Sequence, residues 1–230
     1  MKQLPLPIRL DEAATLENYI PGRNASALYF LQGFLDKPEE LQAYLWAHGA
    51  RGKSHLLQAM CQQASRQQLQ ATYLPMAELA GLGGGMLEGL ERLQLVAIDD
   101  LQQVTPDPAW AEALFHLINR CRSSGCKLLL ASADSPQSID VALPDLASRL
   151  LWGPVFHLDP LADADLLSFI LRRSRQCGLE MPAEVAHYLV KHAPRDIRWL
   201  EELIEKLDQE TLARMRRVTV PLVKEVMAQE

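Results

Sequence analysis

The sequence predicts an α/β protein in which a five-stranded parallel sheet carries helices on both faces and is followed by a small helical subdomain. Three observations lead there. Five short apolar runs, LQAYLWA, ATYLP, LQLVAI, KLLLA and VFHL, alternate with stretches of helical apolar spacing. Uninterrupted apolar strands between helices belong to a sheet buried on both sides. A glycine-containing turn carrying G-K-S joins the first run to the next helical stretch. From Asp163 onward the strand signal stops and apolar residues recur only at helical spacing,.

Taken in order, Gln3-Leu4-Pro5-Leu6-Pro7 is extended, because each proline fixes its own φ and keeps the preceding residue out of the helical region. Thr15 to Gly22 reads as a short ordered loop and Ala25 to Leu35 as a helix. Leu41 to Ala47 is the first strand and Ser54 to Arg66 the helix after the turn. Ala71 to Pro75, Leu93 to Ile98, Lys127 to Ala131 and Val155 to Leu158 are the other strands, with a helix over Trp110 to Ser123. Four more helices follow at Asp163 to Cys177, Pro182 to His192, Asp196 to Thr211 and Pro221 to Met227. Gly178, Pro194 and the connection from Arg216 to Thr219 separate them. The GLGGG cluster at 81–85 does not lie between a strand and a helix in G-x-G-x-x-G register, and reads as a flexible loop. The expected organisation is a peptide at 1–10, an α/β domain at 11–160 and a helical subdomain at 161–230.

The chain has 230 residues, 48% of them hydrophobic and 23% charged, which suits a globular protein with a sizeable core,. Its formal net charge is −6, and an autonomous nucleic-acid binder normally carries a basic surface, so direct DNA binding is disfavoured. No apolar run approaches the roughly 18 residues of a membrane span, and the N-terminus lacks the apolar core of a signal peptide. A cytoplasmic location without membrane contact is expected. Cys61, Cys121, Cys126 and Cys177 are scattered, without C-x-x-C or metal-ligand spacing, and read as reduced thiols.

WAHGARGKSHLL, residues 46–57, is the sharpest local signal. Small residues let successive backbone N–H groups turn onto phosphate oxygens, a lysine meets the β and γ phosphates, a hydroxyl meets Mg²⁺, and the helix N-terminus faces the anion. Gly49, Gly52, Lys53 and Ser54 fill those positions between a strand and a helix. Ala47 stands where the usual pattern has its first glycine, and its methyl is expected to distort the loop or weaken nucleotide binding. LVAIDDLQQV, residues 95–104, supplies the second signal. A carboxylate just past a buried parallel strand lies at the sheet edge where doubly wound folds bind ligands. Asp99 suits the water shell of Mg²⁺ and Asp100 the orientation of an attacking water. Two aspartates ending a strand also suit a turn or cap, and the phosphate loop ahead of them decides for the ligand. Asp134 in SADSP could poise a water or serve a turn. Arg149 and Arg198 are candidate phosphate contacts or plain surface arginines.

G-K-S-H-L-L, I-D-D, Asp134, S-R-L-L-W-G and I-R-W-L-E, in this order, resemble the AAA+ module of the bacterial replication initiator DnaA over about residues 11 to 230. DnaA continues into a basic helix-turn-helix domain, whereas this sequence stops at Glu230 and opens with Q-L-P-L-P. That combination resembles the Hda family, the regulatory inactivators of DnaA. The resemblance implies an AAA+ fold with a helical lid and an N-terminal peptide, Gln3, Leu4, Pro5, Leu6 and Pro7, that docks on the sliding clamp (the β subunit of DNA polymerase III). It implies that the clamp-bound protein stimulates hydrolysis of ATP on DnaA and so restrains initiation, with DNA reached only through the clamp.

By the same resemblance Gly49, Gly52, Lys53 and Ser54 contact phosphate and Mg²⁺, Asp99 and Asp100 are the Walker B acids, Asp134 is the first sensor and Arg198 the second. Arg149 is the arginine finger that acts on a neighbour's γ-phosphate. Tyr19 and Ile20 border the adenine. The family favours ADP, so the expected resident is a nucleoside diphosphate with Mg²⁺. The alternatives are a self-contained ATPase that assists helicase loading and a nucleotide-binding module without a role in initiation, and a homodimer is compatible with either.

Overall fold

In a computed structural model of the protein, residues 10, 11, 14–214 and 217–228 are described. The segment Gln3 to Pro7, expected to dock on a clamp, lies outside them.

Five parallel strands form one sheet: β1 (Gln42–Trp46), β2 (Ala71–Pro75), β3 (Leu95–Asp99), β4 (Lys127–Ser132) and β5 (Val155–His157), in the order β2-β3-β4-β1-β5. β1 is therefore interior, and the loop leaving its carboxyl end opens between the ends of β4 and β5. Register fixes the levels: Trp46 pairs with Ser132, and Ile98 with Leu130.

Successive strand side chains point to opposite faces, so each strand feeds two cores. Tyr44, Val96, Ile98, Leu128 and Leu130 enter one core, which α4 (Pro108–Ser124) covers with Trp110, Leu114 and Leu117. Ala43, Leu45, Ala97, Leu129 and Ala131 enter the other, covered by α1 (Ala25–Phe34) and by α2 (Lys53–Arg66) through Leu56, Leu57 and Met60. A fully buried Leu or Met contributes about 1.5–3 kcal/mol, so these few side chains fix where α2 begins.

Two stretches of the chain fold in ways that the apolar pattern does not predict. Between β2 and β3 the chain makes a short helix α3 (Met76–Leu79) and three 3₁₀ turns, at Ala80–Leu82, Gly84–Leu87 and Leu90–Arg92. The expected flexible loop at GLGGG is therefore folded as turns. Gly84 packs so closely on α4 that an added Cβ would lie 2.6 Å from the Ala113 methyl. α5 (Pro144–Leu150) follows β4; seven residues are too few to display a period, although Pro144 at its first turn is a helix-start signal,. β3 begins at Leu95 rather than Leu93, because Leu93 closes the last 3₁₀ turn with its N–H on the Leu90 carbonyl and Gln94 bends the chain into the strand.

The chain forms two compact units. The first holds the sheet. The second holds 159–230 together with Ile20–Arg23 and Gly49–Arg51, and is built on α6 (Asp163–Gln176), α7 (Ala183–His192), α8 (Ile197–Arg214) and α9 (Val220–Met227). Leu166, Ile170, Leu189, Leu200, Leu203, Ile204 and Val223 make its core. Among the described residues no helix is long and apolar enough to cross a membrane, and the four cysteines are free thiols, three of them buried.

Candidate functional site

β1 ends at Trp46, and the loop to α2 carries the phosphate-loop residues. Gly49 (φ 70°) and Gly52 (φ 84°) adopt the left-handed backbone that glycine enters without steric cost,. Gly52 also backs onto the Tyr19 ring, where an added Cβ would lie 2.7 Å from a ring carbon. Lys53 opens α2, is buried, and donates from Nζ to the Ala47 carbonyl at 2.6 Å. Ala47 is not among the positive-φ residues and is buried in the α2-side core, with its N–H donated to Ser132 O at 3.2 Å. Ala47 thus has a backbone that does not need glycine, and its methyl has a place in the core.

Asp99 ends β3 fully inside the protein. Its Oδ2 accepts from the Tyr73 hydroxyl at 2.9 Å, its Oδ1 from the Asp100 N–H at 2.9 Å, and the Ser54 side chain hydrogen-bonds it as well. Burial raises the Asp99 carboxyl above the ordinary carboxylate range and the neighbouring Asp100 charge adds to this, while the bonds from Ser54, Tyr73 and Asp100 oppose it,. Burial and the adjacent Asp99 charge push the Tyr73 phenol up as well. A desolvated carboxylate beside a serine hydroxyl at a helix N-terminus fits a divalent cation, whose charge would relieve the cost of ionising Asp99.

Asp100 has φ 54°, uncommon for a residue other than glycine,. Its Oδ1 accepts from Gln102 Nε2 at 3.1 Å. Asp134 follows β4; its N–H donates to Ser132 Oγ at 3.2 Å, and its carbonyl accepts from the buried Tyr44 hydroxyl at 3.0 Å. Lys53, Ser54, Asp99, Asp100 and Asp134 are thus brought together at the carboxyl edge of the sheet, where a phosphate chain, a cation and a water could be held in one place.

Tyr19 lies against the same loop through Gly52, whereas Arg149 lies away from it. Gly49 and Ile20 belong to the second unit, as does Arg198 on α8. Tyr19 is buried, its hydroxyl accepting from Asn24 Nδ2 at 3.2 Å, and burial pushes its phenol up to about 12. Arg149 lies on α5 at the amino end of β1, since the Gln42 side chain donates to the Arg149 carbonyl at 2.8 Å. The Arg149 guanidinium sits 4.1 Å from the Trp152 ring centre and 5.2 Å from that of Phe115, and Nε donates to Asn119 Oδ1 at 3.2 Å. Gly153 is obligatory there, because a Cβ would fall 1.9 Å from the Gln42 carbonyl oxygen.

The sequence reading passed over Tyr73, Gln102, Gln42 and Trp152. Tyr73 and Gln42 are buried strand residues indistinguishable by pattern from core positions. Trp152 lies in SRLLWG and Gln102 in LVAIDDLQQV, but nothing local says which partner each one takes.

Residues 163–227 match the family described as the Hda lid domain. Domain III of the replication initiation protein DnaA from Thermotoga maritima superimposes with a TM-score of 0.86 at 20% identity, over 96% of this chain and 98% of that one. AMPPCP-bound DnaA from Aquifex aeolicus gives 0.74 at 23% identity, over 87% and 66%. The RuvB Holliday junction branch migration motor of Thermotoga maritima gives 0.66 at 17% identity, over 89% and 68%. At these identities the structural likeness concerns the fold, and the lid match adds the family signal for the second unit. The chain therefore has the fold of DnaA domain III, a parallel sheet with a phosphate-type loop ahead of a helical unit, and residues 163–227 are similar to the Hda lid domain.

Proposed function

We propose that the protein is a nucleotide-bound negative regulator of replication initiation that acts on ATP held by DnaA. One observation carries the reading: Arg149 lies at the opposite end of β1 from the protein's own phosphate loop. A five-residue strand spans roughly 15 Å at about 3.3 Å per residue, and the guanidinium is turned onto Trp152, Phe115 and Asn119. Arg149 is therefore suited to a neighbour's nucleotide rather than its own. A finger supplied in trans to the transferring phosphoryl group raises hydrolysis by about 10³–10⁵. The Hda-type lid and the DnaA-like fold support DnaA as that neighbour.

Within its own site Lys53, Ser54, Gly49 and Gly52 hold the phosphates of a nucleotide, ADP in the resting protein. Ser54 and Asp99 hold Mg²⁺, which neutralises phosphate charge. Asp100 is the group that would orient an attacking water, Asp134 and Arg198 sense the phosphates, and Tyr19 and Ile20 border the base. Residues 11–160 and 161–230 act as base and lid. Gln3 to Pro7 dock on the sliding clamp, where prolines lower the entropy lost on binding and leucines anchor in an apolar pocket. DNA contact then comes through the clamp.

A second reading, an ATPase that turns over its own nucleotide during helicase loading, is favoured by the complete set of Lys53, Ser54, Asp99 and Asp100. The deciding experiment incubates ATP-bound DnaA with DNA-loaded clamp and this protein and follows ADP formation. Arg149→Ala and a Gln3→Ala/Leu4→Ala variant should each lose the stimulation. Full stimulation by both variants would reject the reading, and rapid phosphate release by the isolated protein would favour the ATPase.

A further inference from the structure

Gln102 joins the end of β3 to the end of β4. Its Nε2 donates to Asp100 Oδ1 at 3.1 Å, while its Oε1 accepts from Ser132 Oγ at 2.9 Å and from Ala133 N at 3.0 Å. A backbone N–H can only donate, so the amide oxygen must face β4 and the amide nitrogen must face Asp100. Ser132 is fully buried and its Oγ in turn accepts from the Asp134 N–H at 3.2 Å. Swinging Gln102 away would therefore strip the acceptor from a buried hydroxyl, and buried donors resist that.

Asp100 is held at both ends. Its N–H donates to Asp99 Oδ1 at 2.9 Å and its backbone stands at φ 54°, a conformation that persists only where the surroundings over-determine it. Its carboxylate spends a lone pair on the Gln102 amide, which is itself fixed to β4 through Ser132 and Ala133. The geometry points to Gln102 as a latch that withholds Asp100 from the attacking water and so keeps ATP, when it enters the protein's own site, from being hydrolysed. This deepens the proposed nucleotide site and rests on it.

Hydrolysis adds water across the terminal P–O bond. The water oxygen bonds the γ-phosphorus, and the bridging oxygen departs with the bonding electron pair on the diphosphate. The proton lost by water goes to a base, Asp100 once it is released, and from there to solvent. A protein whose task is to present Arg149 to a partner has no use for that turnover. Gln102 is a positioning residue in this scheme, acting through Asp100.

Two substitutions separate the latch from the support of β4. Gln102→Ala removes both sets of bonds, whereas Gln102→Glu keeps the acceptor toward Ser132 and Ala133 and removes the donor toward Asp100. Nucleotide binding is measured first, with a fluorescent ATP analogue, then single-turnover phosphate release from the isolated full chain. Both variants should bind with parental affinity and release phosphate about tenfold faster, and adding Asp100→Asn should cancel the gain. A second readout needs no nucleotide. In the free protein the Gln102 carboxamide protons should exchange slowly and shift in the Asp100→Asn variant.

Binding with unchanged or slower phosphate release in both variants would overturn the latch alone. A carboxamide that exchanges like a free amide would overturn it as well. Failure of the parent to bind nucleotide would instead reject the nucleotide reading, and the latch with it.

Discussion

The Tyr73 hydroxyl donates to the Asp99 carboxylate at 2.9 Å, reaching from β2 to the end of β3. A phenol bonded to a buried acid favours its ionised form, so Tyr73 offsets part of what burial does to Asp99. Tyr73→Phe should cost about 1.5–3 kcal/mol, the usual loss for a hydrogen bond to a charged group. Chemical denaturation checks the stability. A titration with Mg-nucleotide should show weaker binding in the variant, because the Asp99 carboxyl would move further from the ordinary range.

The raised Asp99 carboxyl has a pH signature. Its native value lies above the unfolded value of 3.8, so between the two the folded protein binds more protons than the unfolded chain, and stability falls as pH rises. The contribution is full below 3.8 and is lost as pH rises through the native value. Asp99→Asn removes the buried charge, and the phenol can turn to accept from the amide. The variant should melt about 2–4 °C higher than the parent at neutral pH, with the gap closing in acid, while losing Mg-dependent nucleotide binding. A pH series of thermal melts tests the sign.

Three loop substitutions should behave differently for reasons of backbone and space. Gly49→Ala strains a φ of 70° but meets open space, so the cost should be about 1–2 kcal/mol. Gly52→Ala adds a clash with Tyr19 to its φ of 84° and should lose more, in both melting temperature and nucleotide affinity. Ala47→Gly should not improve binding, because Ala47 needs no glycine backbone. It should instead destabilise by about 1 kcal/mol through lost burial and added chain entropy. Parallel melts and nucleotide titrations rank the three.

The seat of α5 should control Arg149. Gln42 caps the helix end through its bonds to the Arg149 and Leu150 carbonyls. Gln42→Leu removes both donors and should lower stimulation of DnaA-bound ATP hydrolysis about tenfold, the equivalent of about 1.4 kcal/mol, with the protein's own nucleotide affinity unchanged. Gly153→Ala should prevent folding of this region altogether, given the 1.9 Å approach to the Gln42 carbonyl. Stimulation assays and circular dichroism distinguish loss of positioning from loss of structure.

Burial of the thiols predicts their order of reaction. Cys177 is half-buried, whereas Cys61, Cys121 and Cys126 are buried, and burial pushes the Cys61 thiol up to about 12. An alkylating agent at neutral pH should label Cys177 first and the other three only on unfolding, as mass spectrometry of a time course would report.

Much of this protein is set by the sequence itself. Apolar runs of four to seven residues separated by helical spacing dictate a parallel α/β sheet, because only burial on both faces satisfies them. G-K-S after the first run sets the loop, and the loss of strand signal at Asp163 sets the helical remainder. These are local properties, legible because strand and helix periods repeat within a few residues. What a residue touches across the sheet is not local. Tyr73 finds Asp99 across 26 residues and Ser132 finds Gln102 across 30, and nothing near either glutamine or tyrosine marks the pairing. The tolerance of Ala47, the folded turns at Gly84 and the stacking of Arg149 on Trp152 were likewise decided by strand order and register. These bring chain segments together that sequence distance keeps apart, and each side chain then takes the partner that burial leaves within reach.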